Sequence, residues 1–156
     1  YAIMFADRKK RFVAAIHCGR KGLENKIIKN VIKILLSKGC SKEDLLVAIG
    51  PSISKKHYLL DNKTLKDFYK LAVYKEGITC IEDTSIFLTL KKLLKLQKDD
   101  LIPLNLKKYA YLQLLNENIP NANINISNLC TYESNHEFYS WRRSKTFSRQ
   151  WSFISN

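Results

Sequence analysis

Three short segments of the sequence carry residue types that can do chemistry. The first is Ile16-His17-Cys18-Gly19-Arg20-Lys21-Gly22. Its two glycines let the backbone pass close to a ligand. A helix opening here would turn free amides toward an anion, with Arg20 and Lys21 adding positive charge. His17 can hold a metal or carry a proton; the competing reading is an ordinary strand-end histidine. Cys18 reads as a small buried hydrophobe more readily than as a thiolate ligand. The second segment is Ile49-Gly50-Pro51-Ser52-Ile53-Ser54, which follows an apolar run. The ends of buried strands are where open α/β folds place their sites, although a plain turn accounts equally well for Gly50, Pro51 and Ser52. His57 and Tyr58, just beyond, read as surface residues. The third is Cys130-Thr131-Tyr132 followed by Phe138-Tyr139-Ser140-Trp141-Arg142-Arg143. Aromatic rings beside paired arginines can stack a flat heterocycle and neutralise phosphate. The alternative is core aromatics with Arg142 and Arg143 turned to water. No Ser-His-Asp triad, HExxH, Walker loop or GxGxxG pattern is present.

The elements that must position these segments follow from periodicity. Residues 1–5 and 11–16 read as short strands joined by a hairpin turn over residues 6–10. A single amphipathic helix is predicted from Gly22 to Gly39, with Leu23, Ile27, Val31 and Leu35 along one face and Ile28, Ile32 and Leu36 widening it. Gly39 supplies the stop, because it can turn left-handed. Residues 45–49 predict a buried strand. Helices are predicted over residues 61–74, with Asp61 as N-cap, over 84–98, and over 104–118 after Pro103. Residues 122–127 alternate Ile124 and Ile126 against Asn123 and Asn125, a half-buried strand. Short strands are expected at residues 137–141 and 152–154. Together these elements predict one mixed α/β domain over residues 1–156.

Composition narrows the classes. With 46 % hydrophobic and 26 % charged residues, the 156-residue chain is a folded protein and not a disordered one. Its apolar runs are too short to cross a bilayer, so no membrane partner is expected. No signal-peptide pattern opens the sequence. It does not begin with Met, which reads as a processed product or a fragment. Four dispersed cysteines form no CxxC pair, pointing to free thiols in a reducing compartment, hence the cytoplasm. The net charge of +13 could serve nucleic acid, but the excess is mainly Lys spread over helix positions, so solvated faces are the favoured reading.

In order and spacing, the three segments resemble the YfiH family, also called the multicopper polyphenol oxidoreductase or laccase-domain family. Its HAGWRG, GPxIxxxxYEV and CT…FFSYRR…TGR motifs resemble residues 17–22, 50–60 and 130–149. The resemblance implies a YfiH-like fold, a layered mixed sheet with helices. It also implies purine nucleoside phosphorolysis and adenosine deamination at a zinc site, with purine nucleoside and phosphate as partners. An older label for the family is copper phenol oxidase.

In the family the metal sits on a His of a QVHG motif, a Cys of an ADC motif and the His of HAGWRG. The first two fall upstream of Tyr1, so the chain is expected to correspond to the C-terminal portion of the family domain, with His17 its remaining ligand. A lone imidazole does not make the three-ligand centre that catalytic zinc needs. On this reading Arg142, Arg143 and Lys21 contact anions, while Gly50, Pro51, Ser52, Tyr139 and Arg20 bind substrate. The family pattern also changes in places. HAGWRG becomes HCGRKG, Leu59 replaces the Glu of YEV, Asn105-Leu106 replaces DL, and Phe147-Ser148-Arg149 replaces TGR. Exchanging Arg for Lys21 keeps charge but loses the bidentate fork. Three alternatives stand beside the phosphorylase: a copper-dependent polyphenol oxidase, a catalytically degenerate nucleoside-binding relative, and a basic nucleic-acid-binding module.

Overall fold

The structure, a computed structural model, describes residues 1–9, 12–61, 63–64, 101–145 and 147–155. Strand β1 (Ala2–Asp7) lies between β2 (Val13–His17) and β3 (Leu45–Ile49), antiparallel to both. Strand β6 (Ile124–Ile126) joins β3 in parallel, giving the order β2-β1-β3-β6. A separate antiparallel pair is formed by β4 (Leu59–Asp61) and β5 (Leu101–Pro103).

Alternation along β1 decides the two faces of the sheet. Ile3 and Phe5 are fully buried with Leu45, Val47 and Ile49 of β3. They share one core with α1 (Arg20–Glu24), α2 (Ile27–Ser37) and α3 (Leu106–Asn116) through Leu23, Ile28, Ile32, Tyr109 and Leu114. Burying side chains of this size stabilises the fold by about 1.5–3 kcal/mol each. The other face carries Ala2, Met4 and Ala6, opposite His17, Ala15 and Val13 of β2. His17 therefore stands on the side of the sheet away from the helices.

The single helix expected from Gly22 to Gly39 is two helices. It starts earlier, at Arg20, and breaks at Lys26, which adopts a left-handed φ of 58°. Ile28, Ile32 and Leu35 are the buried residues of α2, with Ile27, Val31 and Leu36 partly buried beside them against the same core. The predicted stop holds. Gly39 has φ +88°, its amide bonds Leu36 O at 2.9 Å, and the Cys40 amide bonds Leu35 O at 3.1 Å. That pair of bonds is a Schellman closure.

Helix α3 is capped by the Asn105 side chain, which accepts from the Lys108 amide at 3.0 Å. Asp61 takes both the amide and the hydroxyl of Thr64, while the helices predicted beyond it, over residues 65–74 and 84–98, lie outside the described residues. Asn123, expected to face solvent, is buried in a short 3-10 turn (Asn121–Asn123) because Arg8 and the Glu43 carbonyl satisfy its amide. The strand expected at residues 137–141 is a turn followed by the one-turn helix α4 (Trp141–Ser144), and residues 152–154 form no strand. Just past β6, which stands at the edge of the described sheet, the Lys107 ammonium donates to Ser127 O at 2.6 Å and Leu129 O at 3.2 Å.

Gly50 closes β3 against β1. Its amide donates to Ala2 O at 2.9 Å, and a Cβ there would meet the same oxygen at 3.2 Å. Because the neighbour is backbone, it cannot swing aside. Gly50→Ala is expected to cost about 1–3 kcal/mol, read as a lower urea midpoint at unchanged slope.

Candidate functional site

All three motif segments converge on one cleft of about 830 Å³. From the first segment come His17, Cys18, Gly19 and Arg20, at the end of β2 and the start of α1. The second contributes Pro51, Ser52, Ile53 and Tyr58; the third contributes Thr131 and residues 137–142. Residues 148–152 complete the wall.

Backbone hydrogen bonds set this geometry. The Cys18 amide donates to Tyr1 O at 2.7 Å, which carries the β1–β2 pairing past His17. Ser52 bridges to Cys130 in parallel, with the Thr131 amide donating to Ser52 O at 3.1 Å. The Ser54 amide donates to Cys130 Sγ at 3.2 Å. On the outer side of the second loop, His57 stacks on Tyr132 with ring centroids 4.2 Å apart and meets Glu133 Oε1 at 2.8 Å.

The charged groups divide into those facing the cleft and those engaged elsewhere. Arg142 lies over the Tyr58 ring at 5.1 Å and Arg149 over the Trp141 ring at 5.8 Å. Arg20 also lines the cleft but forms an ion pair with Glu24 of its own helix. Glu137 supplies a carboxylate to the lining. Lys21, Gly50 and Arg143 are not among the described lining residues. Lys21 is exposed on α1, and Gly50 sits behind the loop against Ala2. The Arg143 guanidinium is turned into its own loop, donating to Thr131 O, Tyr132 O and Phe138 O.

The titratable groups around His17 bear on metal binding. Partial burial holds the His17 imidazole below its usual pKa. Burial pushes the Cys18 thiol up to about 11, against the opposing pull of the Tyr1 hydroxyl. Cys130 behaves oppositely: desolvation raises it, but hydrogen bonds from Ser54, Glu133 and Tyr132 bring it below the ordinary thiol value. Among the described residues, no three His, Cys, Asp or Glu side chains come together as a metal-holding group. Among the described residues His17 is a single imidazole, short of the three protein ligands that a catalytic metal centre takes.

Tyr58, Glu137, Arg149 and Trp151 line the cleft although residue patterns alone did not single them out. The signal for Tyr58 was present, since it matches the Tyr of GPxIxxxxYEV. Glu137 and Trp151 carry no comparable signal.

Over residues 1–156 the sequence matches the family described as multi-copper polyphenol oxidoreductase laccase. It is 27 % identical to a purine nucleoside phosphorylase of Synechocystis sp., covering 97 % of this chain and 59 % of that protein. It is 30 % identical to the purine nucleoside phosphorylase YlmD of Bacillus subtilis, covering 97 % and 50 %. The chain thus spans about half the length of the curated relatives it matches. The crystal structure of YlmD from Geobacillus stearothermophilus superposes with a TM-score of 0.74 at 26 % identity, over 92 % of this chain and 48 % of that one. The Bacillus licheniformis protein YfiH gives 0.70 at 26 % identity, over 92 % and 49 %.

With its pKa at about 11, Cys18 carries roughly one part in a thousand of thiolate at pH 8. Iodoacetamide at that pH is expected to leave Cys18 unmodified in the folded chain and to label it after denaturation. Peptide mass mapping checks this; rapid labelling of native Cys18 contradicts it.

Proposed function

The chain belongs to the multi-copper polyphenol oxidoreductase laccase family, and from that premise we propose that its cleft serves purine nucleoside phosphorolysis. The observation that carries the reading is the convergence of three separate motif segments on one cleft that sets Arg142 over Tyr58. The names of the relatives, purine nucleoside phosphorylases, supply the reaction class.

In this reaction a phosphate oxygen attacks the ribose anomeric carbon, the bond to the purine nitrogen breaks, and the base leaves with the electron pair. A proton then completes the free base, and ribose 1-phosphate remains. The cleft offers aromatic faces at Tyr58, Tyr139 and Trp141 for the purine. Arg142 offers a planar fork for phosphate, with Arg20 contributing less because Glu24 already engages it. Pro51 and Ser52 shape the floor. Lys21, exposed beside the mouth, adds long-range attraction for the anion. His17, held toward its neutral form, has one ring N–H to donate and one nitrogen to accept a proton. Holding phosphate and ribose in line and offsetting the charge of the departing base are the contributions asked of these groups.

Zinc, with copper as the alternative, is the metal the laccase-domain resemblance implies. Among the described residues His17 is the cleft's imidazole donor, and no three His, Cys, Asp or Glu side chains gather around it as the three-ligand set of a catalytic zinc centre. The substrates and the buried free thiols Cys18 and Cys130 suit a reducing cytoplasm. No helix among the described residues is long and apolar enough to cross a membrane.

The test uses the full reading frame that encodes this chain, incubated with adenosine or inosine and followed by chromatography. Phosphate-dependent release of adenine or hypoxanthine is the expected outcome. Arg142→Ala removes a charge-assisted contact of about 1.5–3 kcal/mol, so KM for phosphate should rise roughly ten- to a hundredfold. Inosine formed from adenosine without phosphate would report deamination instead. Absence of base release, with copper-dependent oxidation of a phenol in its place, would overturn the reading.

A further inference from the structure

The paired arginines Arg142 and Arg143 have identical chemistry and adjacent positions, yet the structure gives them different partners. Arg142 reaches into the cleft, over a ring from the second loop. Arg143 Nη1 donates to Thr131 O at 2.9 Å and Tyr132 O at 2.7 Å, and its Nη2 donates to Phe138 O at 2.6 Å. Three carbonyls from the two ends of one loop converge on one planar cation. The geometry points to Arg143 as a positioning residue: it closes the loop of residues 131–138 on itself and thereby fixes the wall that presents Tyr139 and Arg142 to substrate.

Two features make this more than a surface contact. The loop has little regular structure, being a succession of turns between the Cys130 bridge and α4. Its carbonyls therefore need a partner from outside any helix or strand ladder. Its first end is also anchored, because the Thr131 amide is bound to Ser52 and Cys130 Sγ accepts from the Ser54 amide. Tying Phe138 O to that anchored end gives the second loop and the third a common frame. A guanidinium suits the task because its donors diverge in one plane. An ammonium is a single point, which can serve the Thr131–Tyr132 end or Phe138 but does not span both.

The assignment rests on the cleft being the reaction site, and its test is arranged to separate the two. Hydrogen–deuterium exchange of the 131–138 peptide and emission of Trp141 and Trp151, the chain's two tryptophans and both in the cleft wall, report the loop without any turnover. In the full chain, Arg143→Ala is expected to speed exchange in residues 131–138 about tenfold. Amides of β1 and β3 should keep their protection, and Trp emission should shift. Millimolar methylguanidine should restore both signals.

Arg142→Ala should leave exchange unchanged. In steady-state assays, Arg143→Ala should raise KM for nucleoside and phosphate together, and Arg142→Ala that for phosphate alone. Unchanged loop exchange in Arg143→Ala, or no recovery with methylguanidine, would overturn the positioning role. If Arg143→Ala unfolds the whole chain, Arg143→Lys decides. Intermediate protection of residues 131–138 supports the role, whereas wild-type protection with weakened phosphate binding overturns it in favour of an anion contact. A wild-type protein with no phosphorolysis would remove the reaction reading and leave the exchange result to stand by itself.

Discussion

Beyond Ile49 and Ile126 the parallel pair β3–β6 runs out of strand, yet the two chains do not part. The Ser127 amide donates to Ile49 O at 2.9 Å, and the Thr131 amide donates to Ser52 O at 3.1 Å. These bonds carry the sheet's register into two loops distant in sequence, and the cleft exists because they do. Buried or half-buried backbone groups that lose such partners cost more than the bonds contribute when made, so the loops hold together or fail together. What the core supplies is the platform: β1, paired on both sides, fixes β2 and β3, and the segments that leave these strands start from defined points.

Charge is distributed in a way that the total of +13 conceals. Some cations sit in exposed pairs, such as Lys9 with Asp44 and Lys29 with Glu117. Pairs of that kind contribute little to stability. In the cleft, by contrast, Arg142 and Arg149 are held against aromatic faces, and behind its wall Arg143 is spent on carbonyls. Arg142, laid on the Tyr58 ring, loses rotamer freedom in advance, so a ligand arriving there meets a partly ordered guanidinium, whereas Arg149, over Trp141, also donates to the Ser148 carbonyl. Arg20, already engaged by Glu24, is ordered in a different way and brings less net positive charge.

Much of this arrangement was legible in the residues, and the parts that were not have identifiable physics. The strands around β1 and the end of α2 at Gly39 follow from local rules of alternation and left-handed glycine, whereas α3, expected from residue 104, begins at Leu106 behind its Asn105 cap. The break at Lys26 does not follow from such rules, because Leu23, Ile27, Val31 and Leu35 satisfy one unbroken helical period, and the left-handed turn at Lys26 leaves no mark in that pattern. The aromatic run at residues 137–141 has strand-like composition. Its backbone partners were nevertheless decided by Arg143 and by turns, and composition carries neither. At the cleft, motif spacing brought out His17, Pro51, Ser52, Tyr139 and Arg142, whose segments converge. The same spacing could not distinguish Arg142 from Arg143, since neighbours of one type differ only in where the backbone aims them. Tyr58 was visible as a motif position and obscured as an apparent surface residue.

The Lys107 ammonium has a consequence of its own. Lys107 belongs to α3, whereas Ser127 and Leu129 belong to the segment that leaves β6. By donating to both carbonyls, its ammonium ties the exit from the sheet to the helix layer at two points. The stretch leading from β6 to the Cys130 bridge is thereby held from below by a helix as well as from the side by β3.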